Sequence, residues 1–251
     1  MFNTFATGIL ISALGIGSLG SAAMADDVFV PRLVTAPIDR VFVPLGFDSN
    51  DNVEVVLHGH FPNTCYKLGP ALYTVDEATK TIEIDASSYQ YSGGCAQMLV
   101  PFIQSVSVGL LNQGNYKITV KNRPDARTAT LPVTEAVTSQ PDDYLYAPVA
   151  TVGMVSTLGL KKGIRVEGEF PMLFDGCMVL KEVKLSVTPD DVIIVLPIAE
   201  IVYGQVCNQS SYTRKFSAVT EIPGELLVTE YLIHVRVISG EALNKFVVVE
   251  D

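Results

Sequence analysis

The 251-residue chain has no tryptophan, three histidines, and 17 lysines and arginines against 27 aspartates and glutamates. A net charge of −10 argues against a nucleic-acid binder, which needs clustered Lys and Arg to displace counterions from phosphates. It equally disfavours a polybasic grip on anionic lipid. Cys-x-x-Cys, His-Glu-x-x-His and a P-loop are missing, and no Gly-x-Ser-x-Gly elbow stands beside a strand-to-helix turn. Thiol redox, zincin, P-loop nucleotide and α/β-hydrolase chemistry therefore have no sequence foothold. Charged residues are sparse at 18%, whereas 48% are hydrophobic, which excludes a disordered polyelectrolyte.

Charge is altogether missing from residues 1–25. There an apolar run from Phe5 to Leu19, interrupted by Gly8, Gly15 and Gly17, ends in Ala23-Met24-Ala25, and Asp26-Asp27 follows. This pattern predicts a secretory signal peptide cleaved after Ala25, with an uncleaved anchor as the alternative. Beyond it no stretch approaches the roughly 18 uninterrupted apolar residues of a spanning helix, so none is expected in the mature chain. The predicted destination is the periplasm, the envelope or the exterior.

What the sequence does contain is an internal echo. Cys65 and Cys95 are 30 residues apart, as are Cys177 and Cys207. Ala36-Pro37-Ile38 is answered by Ala147-Pro148-Val149, Gly59-His60-Phe61-Pro62 by Gly168-Glu169-Phe170-Pro171, and Tyr116-x-Ile118-x-Val120 by Tyr231-x-Ile233-x-Val235. Between the cysteines an ungapped alignment lays Val75 on Val187, Ile82 on Ile194 and Tyr91 on Tyr203. The predicted layout is a domain at 26–138 and a second at 139–251, divided in the polar stretch Thr134 to Pro141. Acidity is shared, with 12 acids against 8 bases in the first and 15 against 9 in the second.

Within each copy the apolar residues recur with period two. Val53, Val55, Leu57 and Phe61 alternate with Glu54, His58 and His60, as Ile164, Val166 and Phe170 do with Arg165, Glu167 and Glu169. That is the signature of strands with one face on a core. Val192 to Ala199 lacks the alternation and predicts a strand covered on both faces. Turn clusters such as Asp48-Ser49-Asn50-Asp51-Asn52 and Thr188-Pro189-Asp190-Asp191 separate the strands. The expected fold is all-β: two tandem immunoglobulin-like β-sandwich domains after the signal peptide. The duplicated spacing selects, among three pairings, Cys65–Cys95 and Cys177–Cys207. By the loop-entropy relation each bridge contributes up to about 3.5 kcal/mol.

Candidate chemistry is thin. His58 and His60 would share one strand face, a spacing that suits Zn²⁺ or Cu²⁺, but no third ligand can be named. Glu167 and Glu169 occupy the matching places, and the competing reading is a solvent-facing strand side. Asp48, Asn50, Asp51 and Asn52 have the oxygen content of a Ca²⁺ loop, yet the counterpart Leu160-Lys161-Lys162-Gly163 could not bind a cation. An Asx-rich turn is therefore expected. Asp190-Asp191 reads as a solvated turn. Asn208-Gln209-Ser210 is a formal glycosylation sequon. Tyr66, Tyr73, Tyr89 and Tyr91 flank the first bridge and Tyr203 and Tyr212 the second, as recognition surface or as core.

Phe61-Pro62, Cys65, Cys95, Pro101-Phe102 and Gly114-x-Tyr116-x-Ile118-x-Val120 together resemble bacterial secreted, disulfide-stapled, immunoglobulin-like β-sandwich modules. The resemblance covers about residues 50–122. The second copy departs from it, with Tyr212-Thr213-Arg214-Lys215-Phe216 in place of Pro-Phe. It implies a fold and an exported setting, and no particular activity. The function expected is non-catalytic binding or structure, with a protein or envelope polymer as partner and no cofactor. The alternatives are a metal-dependent or hydrolytic enzyme using His58 and His60, and a protease inhibitor presenting an exposed loop.

Overall fold

The computed structural model describes residues 30–157, 161–173, 176–204, 207 and 212–249. The predicted signal segment and the sequon Asn208-Gln209-Ser210 lie outside the described residues. The first half contains β1 (Arg32–Thr35), β2 (Ile38–Phe42), β3 (Phe47–Asp48), β4 (Val53–Phe61) and β5 (Tyr66–Asp76). It continues through β6 (Thr81–Gln90), β7 (Val100–Gly109), β8 (Gly114–Val120) and β9 (Thr130–Thr134). The second half contains β10 (Val149–Ser156), β11 (Lys162–Glu169), β12 (Cys177–Val187) and β13 (Val192–Val202). It ends with β14 (Lys215–Glu221), β15 (Glu230–Arg236) and β16 (Ala242–Val248). The fold is an all-β sandwich architecture.

Four sheets form. The first half supplies a six-stranded sheet of order β1-β6-β8-β9-β3, with β5 on the other side of β6, and a three-stranded sheet β2-β4-β7. The second supplies a four-stranded sheet β12-β13-β15-β16 and a three-stranded sheet β10-β11-β14. Apart from β1 and β3, which have no counterpart among the described strands, the halves correspond: β6 and β13 pair in parallel with β8 and β15, and β4 and β11 lie antiparallel between two neighbours.

Two local features explain residues that recur in the sequence. A side chain at Gly59 would collide with the Pro37 carbonyl and meet the Phe102 ring at 2.7 Å; one at Gly168 would meet Pro148 and Phe216 in the same way. Glycine lets the chain cross close to the preceding strand and receive an aromatic ring. Tyr116 donates from its hydroxyl to the Asn112 carbonyl at 2.8 Å, and the Tyr231 hydroxyl accepts from the Leu227 N–H at 3.0 Å. Both tie the ring to backbone four residues upstream, as a tyrosine corner does in immunoglobulin-like sandwiches.

Three apolar layers separate the four sheets. Val55, Leu57, Ile82, Ile84, Tyr116 and Leu131 fill the first, between the six-stranded sheet and β2-β4-β7. Ile164, Val166, Ile193, Val195, Ile233 and Val235 fill the last, between β12-β13-β15-β16 and β10-β11-β14. Between them Phe42, Val56 and Ile103 meet Ile194, Leu232 and Phe246, so the two inner sheets stack face to face along a seam. All of it belongs to one compact unit starting at Pro31.

The seam corrects the sequence reading in two places. β4 is not half-buried: Val56 and His58, on the face expected to meet solvent, are buried as fully as Val55 and Leu57. Val192 to Ala199, in contrast, is covered on both faces as its composition suggests. The ungapped alignment also slips by one on β13. Asp76 pairs with Thr81 across the first β5–β6 turn, whereas the Val187–Ile193 pair and the bond from Thr188 N to Val192 O close a shorter one. Ile82 faces Ile118 and Ile193 faces Ile233, so the counterpart of Ile82 is Ile193. Ile194, one residue on, points to the opposite face and takes the place of Glu83.

Candidate functional site

The seam gathers most of the residues that had chemical promise. His58 is 2% exposed and stacks on Phe246 with ring centroids 4.1 Å apart. His60 sits 5.0 Å from it, ring to ring, but its Nδ1 donates to Asp39 at 3.0 Å, and Arg123 approaches the other Asp39 oxygen at 3.6 Å. Their spacing is thus spent on an aromatic stack and a surface ion pair. Glu167 and Glu169, at the matching places, lie on an exposed face, where Glu169 pairs with Arg214 at 2.7 Å. Among the described residues no group of three His, Cys, Asp or Glu could hold a metal ion.

Each end of the seam carries an arginine clasp. Arg40 of β2 extends over the Phe42 ring and donates from Nη2 to the Asp190 carbonyl at 2.7 Å and to Asp191 Oδ2 at 2.8 Å. Asp191 is therefore not the solvated turn residue expected. Arg236 of β15 lies over the Phe47 ring, donates to the Gly46 carbonyl and approaches Asp51 Oδ2 at 3.4 Å. Such stacked, forked contacts suit a guanidinium and would not suit a lysine.

Asp51 is the key to the Asx-rich turn. Its Oδ2 accepts from the Asp48 N–H at 3.0 Å and its Oδ1 from the Asp142 N–H at 3.2 Å, while Asp48 Oδ1 accepts from the Asn50 N–H. These carboxylates are occupied by backbone and by Arg236. Beside them Asn50, Asn52, Leu110, Asp142, Tyr144 and Tyr146 line a cleft of 430 Å³. Burial, and then the neighbouring Asp51, push the Asp142 carboxyl above its ordinary value.

Between the clasps lies a third polar group. His234 Nδ1 lies 2.9 Å from Asn244 Oδ1, and Asn244 Nδ2 donates across the seam to Glu54 and to Ser105. Because the amide nitrogen donates to a carboxylate, its oxygen must accept, and His234 is held as the Nδ1–H tautomer. Burial lowers its pKa to about 4 and raises that of Glu54.

Both bridges form, Cys65 with Cys95 and Cys177 with Cys207, each with Cα atoms 5.4 Å apart. β4 follows Asp51, the partner of Arg236, and runs toward Cys65, whereas β13 follows Asp191, the partner of Arg40, and runs toward Cys207. Arg40 pairs with His58 near the far end of β4, so the two strands run in opposite senses and the bridges occupy opposite ends of the seam. The tyrosines divide. Tyr66 stacks on Phe61 and Tyr212 donates to the Met178 carbonyl at 3.3 Å, whereas Tyr203 is 70% exposed. Leu99 and Met172 stand exposed near the first and second bridge.

The residues missed by sequence reasoning are Arg40, Phe42, Arg236, Asn244 and Phe246. Only the missing alternation of Val192 to Ala199 hinted at a surface that needed them. The family described as the ORF11 β-sandwich domain matches residues 55–133, which run from β4 to β9 in the first half. No curated protein and no solved structure matches the chain.

Proposed function

We propose that the chain is an exported, non-catalytic binding or structural protein of the bacterial envelope or exterior, built from two tandem copies of one sandwich module. Matching strand orders, the Gly59 and Gly168 crossings and the two tyrosine corners support the duplication. The observation that carries the functional reading is the placement of the disulfide-stapled ends. They lie at opposite ends of the seam and carry exposed Leu99, Met172 and Tyr203, while the histidines and most charged groups of the interior serve as inter-sheet contacts. A stack of sheets with two separated contact ends suits a connector between partners, in which two weak contacts gain from tethering.

The test is retention of envelope proteins and isolated cell-wall polymer by the immobilised mature chain. At least one component should be held by the wild type and lost with Leu99→Asp or Met172→Asp. Retention of nothing would sink the reading. N-terminal sequencing of the exported protein should begin at Asp26.

A further inference from the structure

The seam contains two buried imidazoles, and in each the Nε2 atom is buried without a hydrogen-bond partner. In His234 the Asn244 network fixes Nδ1–H, which leaves Nε2 as a bare acceptor, buried and without a partner. Protonation would create a buried N–H with no protein acceptor in place, at a cost that opening of the seam relieves. His58 Nε2 is likewise buried and unpartnered, and its ring is pressed flat against Phe246 of the facing sheet. Each half keeps its own apolar layer and its own bridge apart from the seam.

We propose that the seam is an acid-sensitive latch: protonation of His58 and His234 releases the two inner sheets from one another, while each half retains its own sandwich. The charged surroundings fix the direction. Around His58 stand Arg40 and Asp39 on β2, His60 on its own strand and Glu230 on β15; burial outweighs them and lowers its pKa. Around His234 stand Arg236 on its own strand and Glu54 on β4, 3.9 Å from Nδ1, and Asp51, Asp142 and Glu241 line the same small cavity; burial outweighs them and lowers its pKa. For both groups the closed-state pKa lies below the open-state one. The closed seam is therefore fully favoured above about pH 6.5 and loses ground as pH falls toward the closed-state value. His234 alone, shifted from 6.5 to about 4, moves the open-to-closed ratio by about 300-fold across that window. Glu54 acts in the opposite sense: burial raises its pKa, so its protonation favours the closed seam and offsets part of the change.

The test follows the full mature chain from pH 7 to pH 4 by small-angle scattering and apolar-dye binding, with far-UV circular dichroism as the record of strand content. The radius of gyration and dye binding should rise together below pH 6 while the strand signal persists. In the double variant His58→Phe, His234→Gln the rise should shift down by a pH unit or more. Glu54→Gln, which keeps both histidines, should steepen the transition, and it stands in if the double variant does not fold. An unchanged radius down to pH 4 would overturn the latch. So would loss of strand signal in step with expansion, an unshifted double variant, or a transition abolished by Glu54→Gln.

Discussion

β4 and β11 occupy the same place in their halves, yet β4 is buried on both faces and β11 only on one. β6 and β13 show the same contrast with the halves exchanged. One topology thus hosts two kinds of strand, and the choice is made by what lies against the outward face. Val56 answers Arg165, and Ile194 answers Glu83; the first of each pair meets the seam and the second meets water. Burying a Val or Ile side chain contributes about 1.5–3 kcal/mol, whereas an unpaired charge there costs more than that. The lesson is that pattern along a strand reports its neighbours in space more than its place in the fold.

The comparison can be broken by exchanging residues between corresponding places. Ile194→Glu puts into the seam the residue its counterpart carries, and it should cost about 4 kcal/mol or more in urea unfolding, or abolish two-state behaviour altogether. Arg236→Ala leaves Asp51 buried without its cation and should cost about 3–5 kcal/mol, measured the same way. Replacing either cystine by two serines should cost about 2–4 kcal/mol, and nearly the same in both halves because the loops are equally long. Glu83→Ile, the reverse of the first exchange, should change stability by no more than about 0.5 kcal/mol. A large effect there, or a small one at Ile194, would dissolve the distinction between inner and outer sheets.

Much of the fold was legible because β-strand burial has period two and the cysteine spacing is repeated. The seam was not, for a reason visible in β4. Glu54, His58 and His60 are polar, so the strand reads as half-solvated, although two of these face another sheet and are matched there by Asn244 and Phe246. The register slip on β13 was hidden by Ile193-Ile194, since two adjacent isoleucines satisfy either alignment. The parallel pairing of β6 with β8, and of β13 with β15, leaves no local trace because it joins segments separated by a whole β-strand and its loops. At the candidate site, the Asx turn was anticipated from its residue types, but the partner that fixes its charge, Arg236, lies far along the chain.

The seam joins unlike surfaces, a three-stranded face to a four-stranded one, and a contact of that kind has no built-in endpoint. Whether such layering goes on, as it does in a solenoid, is decided by the residues on the outer faces of the outer sheets. Arg165, Glu167, Glu83 and Lys121 stand on those outer faces, charged and open to water. Stacking another sheet on either outer face would bury those charges without partners, so the layering stops where they stand.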